Sequence, residues 1–200
     1  MSRSEQKSQT RQRILDAAGR VFRRGGYGGI GVDGLAKEAG VTSGAFYVHF
    51  ASKADAFRES IVQAVADVTG AVRQFQSDYG ADWWPAFVRF YLGTKRKCEL
   101  PESCGLQSLA AEVARTDASA KSAFEAELRK VASAIIAGPK SPYAPADEDA
   151  ACSALATLIG AVTLARAVGD PTLADRIASS AEKALLPTES SVSSPSEGKD

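Results

Sequence analysis

The sequence predicts an all-α fold, with a three-helix amino-terminal domain containing a helix-turn-helix and a larger helical domain behind it, about nine helices in all. Three observations carry this. Apolar residues recur three and four apart through most of the chain, as on one face of a helix. No segment alternates apolar and polar residues as a half-buried strand would. Gly, Pro and hydroxyl or carboxylate residues stand at the boundaries between the periodic segments, where helices start and stop.

Helix by helix, residues 1–10 are polar and expected to form a mobile arm with Arg3 and Lys7. The first helix is predicted from about Gln9 to Arg24, with Ile14, Ala18, Val21 and Phe22 on one stripe and Gly25-Gly26 as its stop. Two short helices follow on either side of Gly40-Val41. A long fourth helix is expected from about Lys53 to Phe75, with Phe57, Ile61, Ala64, Val65, Val68 and Val72 at helical spacing. Asp82 is positioned to cap a fifth helix through Trp83, Trp84, Phe87, Phe90 and Tyr91, with Pro85 tolerated in its first turn. Residues 97–105 read as a loop, Leu106 to Arg115 as a sixth helix, and Asp117 as the cap of a seventh. The Pro-rich stretch 138–146 is a linker. Two apolar helices rich in small residues then span about 147–185, separated by Asp170-Pro171, and residues 187–200 are a low-complexity tail expected to be disordered.

The most informative segment is 26–57. Gly40 suits the left-handed conformation that ends a helix, and Thr42 or Ser43 can accept an orphan N–H at the start of the next. In that helix Phe46 and Phe50, four apart, are the core anchors. The remaining face carries Thr42, Ser43, Gly44, Ala45, Tyr47 and His49, with no acidic group and little bulk. Such a face can approach an anionic groove closely, which is the shape of a DNA-reading helix-turn-helix. Charge agrees: residues 1–60 hold ten Lys/Arg against six Asp/Glu, whereas the whole chain is balanced at 24 against 24.

The run GVTSGAFYVHFASKADAF resembles the recognition-helix signature of TetR-type bacterial transcriptional regulators, in which a Gly-Val turn precedes a small-residue helix ending Tyr-x-His-Phe and a Ser-Lys pair, here Ser52-Lys53, opens the next helix. The likeness covers about residues 11–58 and departs at Gly31, where the family often has Ser or Thr as a cap. The chemistry and the family pattern together mark Thr42, Ser43, Gly44, Ala45, Tyr47, His49 and Lys53 as DNA contacts, with Tyr47, His49 and Lys53 directed at phosphates. With no long Arg or Gln on the face, recognition is expected to rest on small contacts, shape and phosphates. The resemblance implies a repressor that binds a palindromic operator as a homodimer through the last two helices, and an effector in the middle domain that moves the fourth helix. It divides the chain into a DNA-binding domain at 1–52, an effector and dimerisation domain at 53–186 and the tail.

The trigger is less determined by the residues. An aromatic concentration with one polar neighbour, Trp83, Trp84, Phe87, Tyr91 and Gln107, is the candidate effector pocket, with Arg89 a further polar anchor; it favours an apolar or aromatic molecule. Adjacent Trp83 and Trp84 cannot both face one core, so at least one is expected to border a cavity, groove or solvent. Cys98 and Cys104, close to Lys95, Arg96 and Lys97, form an alternative thiol-oxidation switch, while Cys152 is expected to be packing. Three cysteines argue against a disulfide framework and suit a reducing cytoplasm. No run of 18 apolar residues or secretory segment indicates membrane or export. No phosphate loop, Ser-His-Asp set or His/carboxylate metal cluster is present, so neither enzyme, cofactor nor metal is expected. A helical binding or scaffold protein without DNA affinity is the reading from another class.

Overall fold

The computed structural model describes residues 2–187, and all regular structure among them is helical. Nine α-helices follow in order: α1 (Arg3–Gly25), α2 (Val32–Glu38), α3 (Ser43–His49), α4 (Lys53–Tyr79), α5 (Trp83–Phe90), α6 (Gly105–Ala114), α7 (Ala118–Ile136), α8 (Glu148–Ala167) and α9 (Pro171–Leu185). The expected tail lies outside the described residues apart from Pro187.

The boundaries follow the capping chemistry. Thr42, Ser52, Asp117, Asp147 and Asp170 each accept a backbone N–H at the start of a helix. One expectation is overturned at the amino terminus: residues 3–10 are not an arm but the first turns of α1. The cause is a capping box. Ser2 Oγ accepts the Glu5 N–H at 3.2 Å, and Glu5 Oε2 accepts the Ser2 N–H at 2.7 Å. Asp82 precedes α5 without capping it through its side chain. Beyond α5 the chain continues through a π-helical stretch, Tyr91–Lys95.

The long helix α4 is the spine. It packs against α1 at its beginning and against α7 along its length, with α5 and α6 closing the sides. Ile14, Phe22, Phe57 and Ile61 bury the amino-terminal end of this core, and Phe57 meets Phe22 edge-on at 5.0 Å. Tyr27 N–H donates to Glu112 Oε2 at 3.1 Å, tying the turn after α1 to α6.

Both tryptophans are fully buried, contrary to the expectation that one borders open space. The linker 138–146 accounts for this by folding over the start of α5. Trp83 Nε1 donates to the Pro139 carbonyl at 2.9 Å, and the Trp84 N–H donates to Ser141 Oγ at 3.3 Å. Two further observations concern α8. Its stripe of Ala151, Ala154, Leu155, Leu158, Ala161, Val162 and Ala165 is buried within the single chain against its neighbours, above all α9. Leu164 and Leu173 remain exposed on these two helices. Helix α8 is also long and apolar enough by composition to cross a membrane, with a mean hydropathy of 1.6, because its Ala, Leu, Ile and Val residues outweigh the Ser, Thr and Gly that interrupt the run. Its tight packing on α9 makes it a core helix of this fold.

Candidate DNA-binding face

The helix-turn-helix is assembled by short-range contacts. Helix α2 starts at Gly31 without a side-chain cap. After it, Gly40 takes φ +66°, a left-handed conformation that favours glycine, and Val41 N–H closes the turn on the Ala36 carbonyl at 2.9 Å. Thr42 Oγ1 then accepts the Ala45 N–H at 3.1 Å. Ser43, the alternative cap, instead donates its hydroxyl to Asp33 Oδ1 at 2.5 Å and locks α3 onto α2. Phe46 and Phe50 are both buried, their rings 5.6 Å apart.

Burial of that pair fixes what α3 presents outward. At 3.6 residues per turn, a residue midway between two side chains four apart lies on the opposite side of the helix. That residue is Val48, which sequence reasoning left out because it counted polar and small groups only. It is 66% exposed, more than Tyr47 at 56%. Gly44, one turn earlier, is also exposed and shares its line. Of the other residues expected here, Thr42 is exposed, and Ser43, Ala45, His49 and Lys53 are half-buried. All of them lie in α3, at its cap or at the first residue of α4, so the fold brings the expected set together.

Cations frame this face. Arg3 and Lys7 are exposed on the extended first helix. Arg11 lies 4.8 Å over the Phe50 ring and is ion-paired to Glu59, so its guanidinium is partly committed to holding α1, α3 and α4 together. Lys53 places its ammonium 4.3 Å over the Tyr27 ring, which fixes the side chain without neutralising it. His49 has Nδ1 buried without a hydrogen-bond partner, leaving Nε2 as the nitrogen open to an outside acceptor. Burial, with the charges of Lys7 and Arg11, holds this imidazole below its ordinary range and keeps it neutral.

The expected effector residues divide. Phe87 and Tyr91 line a cavity of about 240 Å³ with Arg23, Asp67, Lys95 and Cys104, at the junction of α1, α4 and α5. The Tyr91 hydroxyl is buried against Cys104, and burial, with the neighbouring thiol, raises its pKa. Trp83 and Trp84 pack in the core, Gln107 donates to Thr163 Oγ1 at 3.1 Å, and Arg89 pairs with Glu182 at 3.2 Å. An apolar groove of about 460 Å³ that the aromatic count did not reveal lies between α6, α7 and α8, walled by Leu106, Phe124, Leu128 and Leu155. Cys152, expected to pack, is exposed at its rim.

Cys98 and Cys104 are both free thiols in different surroundings. Cys98 donates to the Lys95 carbonyl at 3.1 Å, and Arg166 Nη2 lies 3.4 Å from its sulfur and 2.6 Å from its carbonyl oxygen. Cys104 is buried in the cavity wall near Tyr91. Among the described residues no three His, Cys, Asp or Glu side chains gather as a metal site.

Comparison with known proteins places this geometry. Residues 14–59 match the family described as bacterial regulatory proteins, tetR family. The chain is 35% identical over 78 residues to the HTH-type transcriptional regulator AcrR of Shigella flexneri, and 36% identical over 78 residues to the A-factor receptor protein of Streptomyces griseus. Both alignments cover 39% of this chain, and they span 36% and 26% of those relatives. Over the whole fold it is similar to the reduced form of Escherichia coli NemR (TM-score 0.72, 18% identity, 88% of this chain and 95% of that one). It is equally similar to a TetR-family regulator of Agrobacterium tumefaciens (TM-score 0.71, 19% identity, 90% and 99%).

Proposed function

We propose, from the premise that this is a TetR-type chain, that it is a transcriptional repressor that docks α3 in the major groove of a palindromic operator as a homodimer and is released by a small-molecule effector. The observation that carries the proposal is the outer side of α3. It bares Gly44, Tyr47 and Val48, holds no acidic side chain, and is flanked by Lys7, Arg11 and Lys53. A helix of this shape approaches base edges closely, while the flanking cations meet phosphates.

In this reading Tyr47, His49 Nε2 and Lys53 position the domain on phosphates, and Thr42, Ser43, Gly44 and Ala45 set how closely α3 enters the groove. Ser43 does so with its hydroxyl already engaged by Asp33. Residues 1–52 are then the DNA-binding domain, and 53–186 bind the effector and a second copy. Dimerisation uses α8 and α9, supported by the exposed Leu164 and Leu173. Twofold symmetry doubles a site that one seven-residue helix reads too briefly. The effector enters the body, where Phe87 and Tyr91 already line a cavity and the Tyr91 hydroxyl offers a hydrogen bond. The naming of one relative as a receptor accords with this. The protein acts in the cytoplasm, on the DNA there.

A second reading concerns the trigger. The Arg166 guanidinium lies 3.4 Å from Cys98 Sγ, and the structural neighbour NemR is described in a reduced form. Oxidation at Cys98 or Cys104 would then replace a bound effector. One experiment separates these: a mobility shift with DNA flanking the coding region, reduced and oxidised, at two salt concentrations. Loss of a specific shift on oxidation supports the thiol switch. A shift indifferent to oxidation supports an effector, and no shift on any duplex overturns the regulator.

A further inference from the structure

We propose that Val48 reads a thymine methyl in the operator, an inference that rests on the DNA-binding reading above. Three features of α3 converge on this side chain. It stands opposite the buried Phe46–Phe50 pair and is the more exposed of the two large side chains on the outer face. Gly44 lies one turn behind it on the same line, and a side chain there would meet only Thr42 Oγ1, at 3.8 Å. The backbone can therefore come close to a groove floor at Gly44 while the isopropyl group of Val48 reaches it. The flanking positions are polar, Tyr47 on one side and His49 on the other, so the apolar group is centred and the hydrogen-bonding groups lie toward the groove edges.

Chemistry then selects the base. Val48 has no donor or acceptor and cannot recognise the hydrogen-bonding edges of adenine, guanine or cytosine. In the major groove the C5-methyl of thymine is the base feature suited to an apolar side chain. β-Branching leaves Val with few rotamers, so little side-chain freedom is lost on contact. Elsewhere on a surface an isolated apolar residue carries no such meaning. At the centre of a face otherwise made of small and polar groups it supplies the apolar contact.

The test uses the full chain and duplexes selected from a random pool. Each thymine of the selected half-site is replaced in turn by deoxyuridine, which removes only the methyl. At one position per half-site the native protein should lose about fourfold in affinity, and roughly fifteenfold when both half-sites are changed, the value of one buried methyl-sized group each. Val48→Ala should be indifferent to the replacement at that position. Equal tolerance of deoxyuridine everywhere by the native protein, or full sensitivity retained by Val48→Ala, overturns the assignment while leaving DNA binding intact. A pool that yields no bound duplex overturns both, so the two failures are distinguishable.

Discussion

Helices α3 and α5 are almost equally short, seven and eight residues, yet they use their side chains in opposite ways. Helix α3 fully buries Phe46 alone within its span and leaves its far side bare. Helix α5 buries Trp83, Trp84, Phe87 and Val88 and is enclosed by α4, α9 and the linker. The difference is one of partners. The shape of α3 follows from residues within ten positions of it: the Gly40 turn, the Thr42 cap and the Ser43–Asp33 hydrogen bond. The environment of α5 is set by Pro139 and Ser141, more than fifty residues away. A helix organised locally can expose one whole side for binding; one organised by distant segments becomes core.

The sharpest way to break this contrast is at the shared anchor. Phe46→Ala should cost about 3–5 kcal/mol of stability, the range for emptying an aromatic core site, read by thermal melting. Val48→Ala, two residues on, should move stability by less than about 0.5 kcal/mol, as an exposed site without partners does. Equal losses at the two positions would mean that α3 has no free side.

Gly40→Ala comes next. A side chain at φ +66° should cost about 1–2 kcal/mol and weaken duplex binding by misplacing α3. Thr42→Ala should cost about 1 kcal/mol through the lost cap, with Thr42→Ser restoring most of it.

These local effects explain what was legible in the sequence. The Gly turn, the capping hydroxyl and the Phe46–Phe50 spacing are written within a few residues of one another, and the Asp and Ser caps of α4, α7, α8 and α9 likewise. The Ser2-Glu5 capping box is equally local, and it is what carries α1 to Arg3; a polar composition masked it. Val48 was legible too, from the angle it makes with the anchors, but its apolar character concealed it. The surroundings of Trp83 and Trp84 were not, since nothing near them in sequence announces that residues 139–141 will cover them. The small-residue stripe of α8 fits a partner in its own chain as well as one in another, and spacing alone does not choose between them.

A further expected effect is electrostatic. Because burial and nearby cations hold His49 below its ordinary pKa, the free chain keeps it neutral. The unfolded chain takes up that proton first, so the contribution of His49 to stability is full above the ordinary imidazole value of about 6.5 and declines as pH falls below it. A phosphate at Nε2 favours the charged form, so binding takes up a proton. Duplex affinity should therefore rise as pH falls through that region, by at most about tenfold per pH unit for each protomer. His49→Gln should flatten the profile; an unchanged profile would remove His49 from the contact set.

The most direct test of the DNA-reading face is fluorescence anisotropy of the native chain on a selected duplex across a salt series, alongside Tyr47→Ala and Lys53→Ala. The native protein should bind with affinity that falls steeply as salt rises. Each variant should bind every sequence more weakly, roughly tenfold for one charge-assisted contact, with unchanged preference among sequences. Binding that ignores salt, or that survives both substitutions untouched, would contradict the account.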